Sequence, residues 1–132
     1  MEDKKIKNFL IGSDFEMFLM HKETKEIVSA EGIIQGTKHN PFVFDPTNRF
    51  FPTCLDNVLA EASIPPVDNR DAWVAAIEKS KAYLASILPG ELCTVNLAAA
   101  RLNEKYLQTE NAQLLGCESD YCVWTRGINE RP

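Results

Sequence analysis

The segment Ser13-Asp14-Phe15-Glu16-Met17-Phe18-Leu19-Met20 constrains this chain more than any other, because its first half alternates carboxylates with large apolar residues. Successive side chains of a strand point to opposite faces. A strand here puts Asp14 and Glu16 on one face and turns Phe15, Met17 and Leu19 into a core. Phe9-Leu10-Ile11-Gly12 leads into it. The polar run Lys22-Glu23-Thr24-Lys25 reads as a turn and Ile27-Val28-Ser29-Ala30 as a partner strand, so a β-hairpin is predicted.

From Gly32 to Pro52 the chain is rich in Gly, Pro, Asn and Thr and reads mostly as loop, with short extended pieces at Phe42-Val43-Phe44 and Phe50-Phe51. Leu55 to Ile64 reads as a second long strand stopped by Pro65-Pro66. Asn69-Arg70-Asp71 caps a helix expected to run through Leu88, with Trp73, Val74, Ile77, Leu84 and Ile87 as its apolar stripe and Pro89-Gly90 as its stop. Leu92 to Leu97 is a candidate short strand, and Ala98 to Leu115 is expected to be partly helical, ending at Gly116. Asp120 to Pro132 shows no clear period. With no internal repeat and no low-complexity linker, residues 1–132 read as a single α+β domain, strands ahead of a long helix.

Charge and composition narrow the function classes. The formal net charge is −5 from 19 acidic and 14 basic residues. An acidic chain gains counterion-release affinity for nucleic acid only through a basic face. The one basic cluster, Lys4-Lys5-Ile6-Lys7, fits a solvated tail, so no nucleic-acid partner is expected. No apolar run approaches the roughly 20 residues that span a bilayer, and the first residues lack the apolar core of a signal peptide. No membrane partner is expected, and a cytoplasmic location is. There Cys54, Cys93, Cys117 and Cys122 would be reduced thiols. The Cys117/Cys122 spacing, without a nearby His, is a poor zinc signature.

Candidate chemistry lies on the outward face of the two long strands. Asp14 and Glu16 share a face of the first; Asn57, Leu59, Glu61 and Ser63 share a face of the second. Were both in one sheet, three carboxylates and the Asn57 amide would converge. Mg²⁺ prefers such hard oxygen ligands and commonly adds substrate phosphates. By spacing alone, a solvated strand face fits these carboxylates better than a metal platform. No phosphate-binding glycine loop or dinucleotide fingerprint occurs, and His21 and His39 are unpaired at metal spacing and read as surface residues.

The order of these motifs resembles a known family. Gly12-Ser13-Asp14-Phe15-Glu16-Met17-Phe18 resembles the opening strand of phage-encoded carboxylate–amine ligases, the type 2 amidoligases, of the glutamine synthetase and glutamate–cysteine ligase superfamily. Ala30-Glu31-Gly32 with Gly36-Thr37-Lys38 and Pro41 is similar to the glycine-rich segment after their first hairpin. Asp56-Asn57-Val58-Leu59-Ala60-Glu61, running to Ile64-Pro65-Pro66, is similar to their second acidic strand. Gly116-Cys117, Asp120-Tyr121, Trp124-Thr125, Asn129 and Arg131-Pro132 resemble the stretch before their second half.

The resemblance implies a curved antiparallel sheet with helices on one face, part of a glutamine synthetase-like catalytic fold and corresponding to the N-terminal half of an amidoligase. It implies Asp14, Glu16 and Glu61 as ligands of Mg²⁺ bridging ATP phosphates, Lys38 as a cation near a phosphate or a substrate carboxylate, and Asn57 as a substrate contact. For Lys38 a solvated loop position remains the alternative. The implied reaction phosphorylates a small-molecule or peptide carboxylate with ATP and lets an amine attack, forming an amide. The family's further glycine-rich, histidine-bearing strand has no counterpart before Pro132. This points to an incomplete site, and to an exposed sheet edge open to a complementing chain or a second copy. The alternative is a catalytically silent, truncated homologue serving as a binding or structural module in a phage. Phe15 and Ser119 stand where the family usually has Pro, and Ala60 where an apolar or aromatic residue is common.

Overall fold

The computed structural model describes residues 9–43, 51–114 and 121–128. The expectations placed on Lys4, Lys5, Lys7, Phe44, Phe50, Gly116, Cys117, Ser119, Asp120, Asn129, Arg131 and Pro132 lie outside the described residues. In chain order the elements are β1 (Ile11–His21), β2 (Ile27–Val28), β3 (Gly36–Thr37), β4 (Asn40–Pro41), β5 (Thr53–Asp56), β6 (Leu59–Val67), α1 (Arg70–Ile87) and β7 (Leu92–Val95). A 3₁₀ turn at Glu104–Tyr106, α2 (Glu110–Gln113), β8 (Tyr121–Cys122) and β9 (Gly127–Ile128) follow. The protein is α+β with a mostly antiparallel sheet. Among the described residues no helix is long and apolar enough to cross a membrane.

β1 organises the main sheet. Its first half pairs antiparallel with β6, from Ile11 opposite Val67 to Met17 opposite Ala60, and its second half pairs with β2 and β7. The expected alternation holds: Met17 and Leu19 are buried while Asp14 and Glu16 are exposed. On β6, Ala60, Ala62 and Ile64 are buried, and Glu61 and Ser63 look outward. α1 covers the buried face of β6. Asn69 caps it by accepting a hydrogen bond from the Ala72 amide at 2.8 Å, satisfying an otherwise orphan donor. The helix ends ahead of Pro89, as expected. Its buried stripe is Ala76, Ser80 and Leu84, so of the expected apolar set only Leu84 is buried. Val74 is exposed, and Trp73, Ile77 and Ile87 pack only partly buried. Leu84 of the helix joins one core cluster with Met17, Leu19 and Ala60, and Ala76 joins another with Phe51 and Ile64.

Three boundaries differ from the sequence reading. Residues 55–64 are not one strand. β5 and β6 form a hairpin, with Asp56 opposite Leu59 and Asn57-Val58 as its loop. Asn57 takes a left-handed backbone, φ 53°, which Asn tolerates better than most residues. The strand then continues through Pro65-Pro66, where the pairing with β1 shifts register between Ile11 and Ser13. An irregular ladder is where a strand can hold proline. Residues 98–115 carry only the 3₁₀ turn and the short α2, each started by its own cap, Asn103 and Thr109. The candidate strand at residues 92–97 stops at Val95.

The loop expected over residues 32–52 contains a β3–β4 hairpin with Lys38-His39 at its tip, held to β5 through a bridge between Phe42 and Thr53. Gly36 makes that docking possible. Its φ is +94°, and a Cβ there would sit 2.4 Å from the Phe42 nitrogen and 2.7 Å from the Thr53 oxygen. Gly36→Ala is expected to lower the urea-unfolding free energy by about 1–3 kcal/mol through backbone strain and a forced shift of the hairpin. A change below about 0.5 kcal/mol would mean that the hairpin is not anchored there.

Candidate functional site

The outward face of β1, β6 and β5 carries the ionisable cluster. Glu16 stands directly opposite Glu61 across the β1–β6 ladder, and Glu61 directly opposite Cys54 across β6–β5. Facing residues in an antiparallel pair project to the same side, so these three form a row across the strands. Asp56, two residues past Cys54 on β5, joins the same face. One carboxylate oxygen each from Glu16, Asp56 and Glu61 lies within 4.8 Å of the others. Asp14, opposite Ser63, is one step further along the strand and outside this triad, close enough to push the Glu61 pKa upward.

Like charges facing each other across a sheet are destabilising. The Glu61 carboxyl is raised above its ordinary value, chiefly by burial and then by the Asp56 charge, with Asp14 and Glu16 adding to it and Lys38 opposing. Lys38 reaches down from the hairpin tip to Asp56, Nζ to Oδ2 at 2.9 Å. The structure therefore gives Lys38 a partner inside the cluster, whatever else it contacts. Cys54 lies beneath the carboxylates, and its thiol is pushed up to about 11 by burial, by the Glu61 and Asp56 charges and by its hydrogen bond with Glu61. A thiol so raised is a poor nucleophile at neutral pH.

Asn57 does not share the face of Glu61 as a continuous strand would have required. It sits in the hairpin loop, where its side-chain amide donates to the backbone oxygens of Asn111, at 3.0 Å, and Leu114. Asn111 returns a bond to the Asn57 oxygen at 3.2 Å. This exchange ties α2 to the β5–β6 turn and walls one side of a cavity of about 230 Å³, lined also by Gly36, Lys38, His39 and Asp56. Asp56 is thus shared between cavity and triad. A larger opening of about 340 Å³, among Ile33, Gln35, Phe42, Ser86 and Ile87, carries no ionisable side chain. His21 ends β1 with its Nδ1 buried and unpartnered, away from the triad residues along the strand.

Asp56 and Cys54 were missed as site residues because the β5–β6 break was missed. Asp and Asn both favour turns, and a turn at Asp56-Asn57 puts Asp56 at a strand end beside the acidic face. No family model, curated protein or solved structure matches this chain.

Two consequences are measurable without any ligand. In EDTA, Glu61→Gln is expected to stabilise the fold at pH 7 by about 0.2–1 kcal/mol, because it removes a facing like charge. A raised carboxyl keeps its proton in the folded chain after the unfolded chain has lost it. The penalty therefore grows as pH rises from about 4.5 through the folded value, and the advantage of Gln should vanish below that window. Urea unfolding across pH reads both. The same argument applies to Cys54: from pH 9 towards 11 the unfolded chain deprotonates first, so stability falls as pH rises, and Cys54→Ala should flatten that slope.

Proposed function

We propose that this chain acts in ATP- and Mg²⁺-dependent carboxylate–amine ligation, to which it contributes a carboxylate cluster. The observation that carries the reading is the close approach of the Glu16, Asp56 and Glu61 oxygens across three paired strands. The donor set suits a hard divalent cation, since it is all oxygen and leaves positions for water and phosphate. The raised Glu61 carboxyl supports the same fit, because Lys38 alone does not balance the charges around it. Glu16, Asp56 and Glu61 would hold the ion, with Asp14 adding to the field from the rim. When bound, Mg²⁺ would offset the charge on the phosphates and on the phosphoryl group in flight.

The rest of the work falls to positioning. The Lys38–Asp56 ion pair fixes the side chain common to the cluster and the cavity. The Asn57–Asn111 exchange holds the wall opposite, so a substrate seated in the cavity lies beside the triad. Asn57 acts here by shaping the cavity, since its amide hydrogens are directed at Asn111 and Leu114.

Titration with Mn²⁺, followed by electron paramagnetic resonance, tests the cation. Glu61→Gln and Asp56→Asn should each weaken binding by about tenfold or more, and Asp14→Asn by clearly less. Equal binding by wild type and the Glu16/Asp56/Glu61 triple amide variant removes the assignment. ADP release that requires an added amine separates a ligase from a silent module that merely retains the ion.

A further inference from the structure

Among the described residues, one side of the β1 backbone is left unpaired beside Asp14 and Glu16. The Lys22 amide donates to Glu91 on the β7 side, whereas the His21 amide donates to Glu26 on the β2 side. Even-numbered residues of β1 therefore direct their backbone groups to the β7 edge, and odd-numbered ones to the β2 edge. On β6 the Ser63 amide donates to Pro52, so odd-numbered residues there face β5. Ala60, Ala62 and Ile64 are left to bond Met17, Phe15 and Ser13. β6 and β2 thus lie end to end along one edge of β1, and the Ala30 amide closes their joint on the Val58 oxygen.

The other edge is paired by β7 over Phe18–His21 only. Among the described residues, no strand pairs with Gly12, Asp14 and Glu16 on that edge, and all three are exposed. The chain leaves β7 at Val95, and Asn96 and Leu97 continue exposed without pairing.

An open edge takes an extended backbone, and the side chains beside it set which one. A strand added to β1 has every second side chain on the face of Asp14 and Glu16 and beside them, with Glu61 one strand and Asp56 two strands further across the same face. Carboxylates there would meet like charge, and ammonium or guanidinium groups would meet opposite charge. A second copy of β1 fits badly. Two β1 edges paired antiparallel through their even-numbered residues place Asp14 opposite Asp14, Asp14 opposite Glu16, or Glu16 opposite Glu16, on every register that overlaps both residues.

We infer that the open edge of β1, from Gly12 to Glu16, binds an extended peptide segment carrying basic side chains at alternate positions. This goes beyond the ligase reading and does not require it. The pairing uses the backbone of β1 and the charge of its outer face, with or without a bound ion.

The test uses the full chain, in EDTA and at low salt, with three short fluorescent peptides. One has lysine at alternate positions, one has glutamate there, and one is the lysine peptide N-methylated on the amides that would face β1. The lysine peptide should bind at least about tenfold more tightly than either of the others, a difference of about 1.4 kcal/mol. It should also slow hydrogen exchange at the amides of Asp14 and Glu16. A variant with Asp14→Asn and Glu16→Gln, checked for folding by circular dichroism, should lose the preference for lysine over glutamate. Three outcomes overturn the proposal. The peptides bind equally or none binds; N-methylation changes nothing; or the Asp14 and Glu16 amides are already protected in the free protein, as a monomer or a dimer, so that this chain itself covers the edge.

Discussion

The pairing of β1 with β6 is the constraint on which the rest depends. A side-chain period of two means that one residue of slip would exchange the faces of a strand. In the observed register Met17 meets Ala60 and Phe15 meets Ala62 on the helix side, and Glu16 meets Glu61 on the other. The apolar demand of the core fixes that register. Small residues at 60 and 62 let α1 settle close to the sheet, and Leu84, wholly buried, fills the interface beside them. The facing carboxylates are thus a consequence of core packing imposed on a sequence that alternates on both strands.

Such a face carries a cost, and the surrounding structure offsets only part of it. The Lys38–Asp56 ion pair contributes an opposing charge at half-exposed range, where such pairs are worth little by themselves. Its value is geometric, because it joins the β3–β4 hairpin to the end of β5. The hairpin can approach only because Gly36 lacks a Cβ. Behind β5, the left-handed Asn57 turns the chain and exchanges hydrogen bonds with Asn111. Two side elements are therefore pinned around the acidic row. The acidic row is thus left incompletely neutralised by Lys38 and framed on two sides, by the β3–β4 hairpin and by the α2 contact.

Much of this was legible in the sequence. The alternation at residues 14–19 announced the strand and both its faces, and Asn69 with Pro89 bracketed the long helix closely. Period and capping are local, and local signals survive folding. What was not legible depended on distant contacts. Asn57 reads equally as a strand residue or as a turn until Asp56 and Leu59 are seen to pair. Ser80 is wholly buried on α1, which an apolar helical period does not reveal. Residues 98–114 have good helix formers, but their two caps start separate short turns, and α2 is held by Asn57 from 54 residues away in sequence. The shared outward face of Glu16 and Glu61 follows from alternation, whereas the places of Asp56 and Cys54 depend on the β5–β6 hairpin and that of Asn57 on Asn111.

The charge that burdens the sheet also bears on its exposed edge. An unpaired strand side risks promiscuous pairing, and charged side chains are a common defence. Asp14 and Glu16 supply that defence in their own segment of β1, because a like strand must bring its carboxylates against theirs. The bulged stretch at Pro65-Pro66 disturbs the ladder at the other end of β6, where the sheet would otherwise extend regularly. Neutralising the acidic face by a cation, a proton or a basic partner would therefore do two things at once. It would relieve the repulsion between Glu16 and Glu61, and it would lower the barrier to adding a strand beside β1. On the two proposals, a cation and an added strand would draw on the same few carboxylates, so the edge would be most selective for basic partners when no cation is bound.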